Sequence, residues 1–174
     1  MSLHRAKYAA ERALIASGLQ WTIIRPAAYL ETWIPIIGAK IADKGQAVVF
    51  GPGRNPINFV SADDVAAIVG LALHDQSPHG QILAATGPQN LTFTHIADRL
   101  IADSGRPARI KPVPLPMLRA MSVLARPFSP VLARQAQAAV VMNTTDAAAL
   151  HRRFSLIPMT TLNDVLTRQH AHHP

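Results

Sequence analysis

The chain has 174 residues, 49% of them hydrophobic, and carries a formal charge of +7 with an isoelectric point near 10.8. Such a length supports one domain with a substantial core, and such an apolar content excludes a disordered chain. The absence of cysteine excludes disulfides and thiolate chemistry, while charged residues or proline break every apolar run well short of the ~18 residues a membrane-crossing helix needs.

The basic residues are spread from Arg5 to Arg168 rather than gathered in a run. Two tryptophans, two tyrosines and five phenylalanines are few for base stacking. The charge therefore reads as a solubilising surface, and no nucleic-acid partner is expected. The amino end enters a charge-bearing amphipathic helix rather than a leader, so a cytoplasmic protein without a membrane partner is the expectation.

Taken in chain order, Leu3 to Ser17 predicts a helix with Tyr8, Leu14 and Ile15 near helical spacing and Gly18 as its stop. The β-branched run Trp21–Arg25, ended by Pro26, predicts a buried strand. A helix follows over Leu30–Ala42, which Pro35 begins or kinks. Ala47–Phe50 and Ile57–Val60 predict short strands on either side of the turn Gly51-Pro52-Gly53.

Ser61 predicts a helix cap, with Asp63 and Asp64 placed in the first turn for the helix dipole and Val65, Ile68, Val69 and Ala72 forming the apolar face. Gln81–Thr86 predicts another buried strand, and Thr92 to Gly105 a capped helix. An extended segment, Arg109–Val113, precedes helices near Met117–Ala125 and Val131–Met142. A weak helical pattern starts at Asp146, and His170–Pro174 is expected to fray.

Helices alternating with strands define an α/β chain with parallel pairing. Only Trp21–Arg25 and Gln81–Thr86 are apolar enough for a sheet covered on both faces. Two parallel strands do not stand alone, so a missing half or a second copy of the chain is expected to cover them.

No glycine-rich turn is present: the nine glycines are scattered and none forms G-x-G-x-x-G. A pyrophosphate needs backbone amides brought close at a helix N-terminus, so this chain lacks that half of a dinucleotide site. Other chemistries find little support. Asp63 and Asp64 are adjacent on a helix and diverge, no helix carries a metal-ligand spacing of histidines, and no G-x-S-x-G elbow occurs, so no metal site is expected. Lys7 and Glu11, four residues apart, read as a surface ion contact. Gly51-Pro52-Gly53-Arg54 is explained by a turn without a phosphate, and the apolar stretch Leu115–Met142 by core helices without a membrane.

Four segments occur in order: Lys7-x-x-x-Glu11; Ser17-Gly18-Leu19-x-Trp21-Thr22-Ile23-Ile24-Arg25-Pro26; Asn58-Phe59-Val60-Ser61-x-Asp63-Asp64-Val65-Ala66; and Thr86-Gly87-Pro88-x-x-Leu91-Thr92. With them the chain resembles the C-terminal portion of atypical short-chain dehydrogenase/reductase proteins of the NmrA-like, NAD(P)-binding class, which is related to the NAD-dependent epimerases and dehydratases. The likeness runs from Lys7 to Val113 and more loosely to the end. It implies the C-terminal part of a Rossmann-type fold with a small substrate-binding subdomain. One domain over 1–174 is expected, with 1–90 closing the sheet and 91–174 mostly helical.

By the same resemblance Lys7 is the catalytic lysine that holds the nicotinamide ribose of NAD(P). The backbone at Pro26, Ala27 and Ala28 lies near the nicotinamide, and Tyr29 and Trp33 line the substrate pocket. The class pairs that lysine with a tyrosine four residues earlier, on the same helix face, where it supplies a proton. Leu3 stands at that position, and Tyr8, one residue after Lys7, points about 100° away.

The expected function is the pocket-forming part of an NAD(P)-dependent reductase or epimerase-like protein, inactive alone. The alternative is a non-catalytic NmrA-like regulatory or interaction module that binds a small ligand or a protein.

Overall fold

The computed structural model describes residues 2–74, 79–144 and 159–172. Helix α1 (Ser2–Ile15) ends before Gly18, whose φ of 74° turns the chain back into strand β1 (Thr22–Pro26). There follow β2 (Ala28–Tyr29), α2 (Leu30–Gly38), α3 (Ile41–Lys44), β3 (Gln46–Phe50), β4 (Ile57–Val60) and α4 (Ala62–His74). The remaining elements are β5 (Gln81–Ala85), β6 (Gln89–Leu91), α5 (Phe93–Ser104), β7 (Arg109–Val113), α6 (Leu115–Leu124), α7 (Pro130–Thr144) and α8 (Leu162–His172).

The α/β class holds, with three corrections to the elements. The helix predicted over Leu30–Ala42 is two helices. Pro35 sits inside α2, but the break falls at Ala39–Lys40, where Lys40 bridges to Gln46 and α3 closes on left-handed Gly45. Second, β2 and β6 are strands of two and three residues, too short for a period-2 pattern to register. Third, α8 continues through His172, beyond the expected fraying at His170; the weak pattern beginning at Asp146 lies outside the described residues as far as 158. Thr161 opens α8, donating its N–H and hydroxyl to Asp164, which sits one turn on and completes a reciprocal cap.

A sheet splits in two and a strand enters the gap. Strands β1 and β5 pair in parallel, from Thr22 opposite Gln81 to Pro26 opposite Ala85. The last rung is the Ala27 N–H donating to the Ala85 carbonyl at 2.9 Å. Beyond it the two chains part. β2 and β6 then lie on opposite sides of β4, the former parallel to it and the latter antiparallel. A separate parallel pair joins β3 to β7. Pro112, which has no N–H to give a ladder, sits exposed in β7, where among the described residues no strand pairs on the far side.

Burial follows from this wedge. All four residues of β4 are buried, whereas β5, predicted to be covered on both faces, exposes Gln81 and Ile82. That reverses the ranking drawn from apolarity alone. The main core lies on β3, β4, α2 and α5, and it centres on Trp33, Phe50, Phe59 and Phe93. Trp33 and Phe93 stack tilted with centroids 4.9 Å apart, while Phe50 and Phe59 meet Phe93 edge-on. Such pairs add about 0.5–1.5 kcal/mol each beyond their burial.

Candidate active site

Open α/β sheets bind ligands where neighbouring strands diverge at their carboxyl ends. Here that point lies between Pro26 and Ala28 on one side and Ala85 and Gly87 on the other. Ala27, Ala28 and Tyr29 are half-buried along the parting, and Tyr29 is the last residue before α2.

Helix α1 lies against β1 through one charged contact. Glu11 accepts from Arg25 Nε at 3.0 Å and from Nη2 at 2.6 Å, a two-pronged pair. This corrects the expected Lys7–Glu11 ion pair: the planar fork of Arg25, donating from two nitrogens, takes the carboxylate. Lys7 is exposed, with no ion-pair partner among the described residues. It precedes Glu11 by one turn, about 6 Å, on the same face of α1.

Hydrogen bonds from Arg25, reinforced by its charge and that of Lys7, hold the Glu11 carboxyl below its usual range. The folded value is the lower one. The contact is therefore fully present above the unfolded carboxylate range and is lost as pH falls through the lowered value. An NMR titration of the Glu11 carboxyl carbon should show this, and Arg25→Gln should return it to the ordinary range. An unchanged titration in that variant would mean the pair does not form in solution.

Trp33 is the clearest correction at the site. It is only 5% exposed, and its ring faces Phe50 and Phe93, so it lines the core rather than an open pocket. Tyr29, one turn earlier, stays at the edge of the parting.

Three residues in the quoted motifs prove to be architectural. Buried Asn58, on β4, accepts from the Gly87 N–H at 2.9 Å and donates to the Gly87 carbonyl at 3.1 Å and to Asn90 Oδ1 at 3.0 Å. A Cβ on Gly87 would lie 1.8 Å from the Phe59 carbonyl oxygen, which explains the glycine. Asp64 is 4% exposed and accepts from the Thr160 N–H and hydroxyl at 2.8 and 2.6 Å, tying down the approach to α8. Its role is therefore more than the dipole contact expected. Asp63 instead meets Arg168 at 2.7 Å on the surface.

Glu31 is a residue that sequence reasoning passed over. From the first turn of α2 its carboxylate accepts from the Ser61 hydroxyl at 2.6 Å and the Ala62 N–H at 3.0 Å. Ser61 in turn accepts from the Asp63 N–H at 3.3 Å, the cap read from the sequence. The N-terminus of α4 is thus filled by an internal carboxylate and cannot serve a pyrophosphate. Thr92 caps α5 by accepting from the His95 N–H. Among the described residues no three His, Asp or Glu side chains are grouped to hold a metal ion.

The half-buried backbone of Ala27, Ala28 and Tyr29 lines the place where β1 and β5 part.

Comparison with known proteins bears on that geometry. No protein-family model matches the chain. It is 28% identical over 151 residues to the NAD(P)H azoreductase of Xenophilus azovorans, covering 86% of this chain and 46% of that protein. It is 31% identical over 104 residues to a (4-alkanoyl-5-oxo-2,5-dihydrofuran-3-yl)methyl phosphate reductase of Streptomyces griseus, covering 58% of this chain and 35% of that protein. Among solved structures, the triphenylmethane reductase of a Citrobacter species, complexed with NADP(H), superposes with a TM-score of 0.79 at 19% identity, over 97% of this chain and 60% of that one. The fold is that of NAD(P)-dependent reductases. The resemblance read from the four segments holds, and it places the chain beside reductases and epimerase-type proteins. The chain spans 46% and 35% of the length of these two curated relatives. No described helix is long and apolar enough to cross a membrane.

Proposed function

We propose that this chain forms the nicotinamide-facing, substrate-pocket part of an NAD(P)-dependent reductase or epimerase-like protein. The observation that carries the reading is the parting of β1 and β5, with Lys7 on α1 one helical turn before the Glu11 that pairs with Arg25. In this reading the Lys7 ammonium donates to the hydroxyls of the nicotinamide ribose. The backbone from Pro26 to Ala28 packs beside the ring, and Tyr29 bounds the substrate. NAD(P)H supplies the hydride when bound. Trp33 acts from behind, fixing the α2 start that carries Tyr29 rather than touching substrate.

The complementary nucleotide-binding strands would cover the apolar surface around β1 and β5. Leu19, Leu71, Leu73 and Ile82 are exposed there, Leu73 at 79%. Burial of such surface is worth roughly 25 cal/mol per Å², so a covering segment or a second copy gains affinity from it. A separate reading, a non-catalytic module that binds a ligand in the same crevice, draws on Leu3. A leucine provides no proton where the class has its tyrosine.

A calorimetric titration of the 174-residue chain with NADPH and then NADH tests the first reading. With no glycine-rich turn to hold the pyrophosphate, both cofactors should bind no tighter than about 0.1 mM. Micromolar binding would show that the chain builds a whole cofactor site, and the claim that it is inactive alone would fall.

A further inference from the structure

We propose a second, separate site: a cavity between α1 and the α6–α7 pair that binds a tetrahedral oxyanion, either free phosphate or the phosphate or sulfonate end of a small organic molecule. The cavity has a volume of about 440 Å³ and is lined by Arg5, Ser122, Arg126, Ala133, Arg134 and Gln137. Three arginines, one from α1, one from the turn after α6 and one from α7, line one space, and no carboxylate is among its described lining residues. None of the three forms an ion pair among the described residues.

Like charges gathered this way repel one another, and an anion between them removes that penalty. The donors are partly organised already. Arg126 spends its Nε–H on the Ser122 carbonyl at 3.0 Å, which fixes the plane of the guanidinium and leaves its outer N–H groups free to point elsewhere. Planar forks of this kind match the paired oxygens of a phosphate or sulfonate. Ala133 and Gln137 also line the space, and the Gln137 amide can donate to an anion there.

The site is distinct from the nicotinamide crevice. Arg5 and Lys7 are two residues apart on α1, so they project about 200° from each other around its axis. Two residues beyond Arg126, Phe128 is 89% exposed and offers apolar surface for the organic part of such a ligand.

The test is a titration of the chain with inorganic phosphate and with benzenesulfonate at constant ionic strength, followed by the Nε–H signals of the arginines. Saturable shifts at Arg5, Arg126 and Arg134 are expected, with chloride failing to compete. Arg134→Gln and Arg126→Gln should each weaken phosphate binding about tenfold while leaving the circular dichroism unchanged. Unsaturable shifts, or variants that bind as the parent does, would overturn the site. A third arm adds NADPH: if it displaces phosphate, and the same variants lose NADPH, the arginines belong to the cofactor and the separate site is wrong.

Discussion

Replacing Gly87 with alanine is expected to cost more than about 3 kcal/mol, enough to leave much of the protein unfolded given the usual 5–15 kcal/mol of total stability. The methyl group would meet the Phe59 carbonyl oxygen at 1.8 Å, its carbon at 2.8 Å and the Val60 Cα at 3.1 Å. All three are backbone atoms of β4, the buried strand that fills the split sheet, so no rotamer change relieves the clash. Relief requires β5 and β6 to move away from β4, which breaks the bonds of Asn58 to both polar groups of Gly87. Gly70→Ala supplies the contrast. Its Cβ would meet nothing within 4 Å in α4, and the better helix propensity should add about 0.5–1 kcal/mol. Urea unfolding of the two variants should therefore move in opposite directions. Should Gly87→Ala fail to fold, Asn58→Ala removes the same lock without a clash and should cost about 2 kcal/mol. Equal stability of Gly87→Ala and the parent would contradict the wedge.

Asp64→Ala is expected to cost about 3 kcal/mol, far beyond a surface cap. Two short bonds to Thr160 are lost, and the buried Thr160 N–H is left without its acceptor. The consequence should be local before it is global. Leu162, Val165 and Leu166 bring α8 into the main core, and Thr160 is the point at which that segment is fastened to α4. Amide exchange in α8 should therefore accelerate more than exchange in α5. Asp64→Asn, which keeps one acceptor oxygen, should lose about half as much. Uniform acceleration across the molecule would mean that Asp64 stabilises α4 alone.

The sequence made the longer elements legible because their signals are local. Thr92 and Gly105 bracket α5 by cap chemistry, and Gly51 and Gly53 take the positive φ their turn requires. What escaped depends on contacts made far along the chain. Strand β4 is no more apolar than β1, yet it is buried throughout, because the strands on either side part around it. Asn58 in an apolar strand carries no sign that Gly87, 29 residues on, will satisfy it. Nor does the spacing of Tyr29 and Trp33 reveal that one ring stops at the crevice edge while the other meets Phe93. Lys7 was singled out through resemblance alone. Its neighbour Glu11 pairs with Arg25, 14 residues away, rather than with Lys7 one turn before it.

The central claim, that the parting ends of β1 and β5 face the nicotinamide, is tested most directly by following backbone amide shifts while NADPH is added to millimolar concentration. The account predicts shifts at Ala27, Ala28 and Tyr29 and in the turn of α1 around Lys7, reduced in Lys7→Ala. Shifts elsewhere, or none in a chain that remains folded, would contradict it.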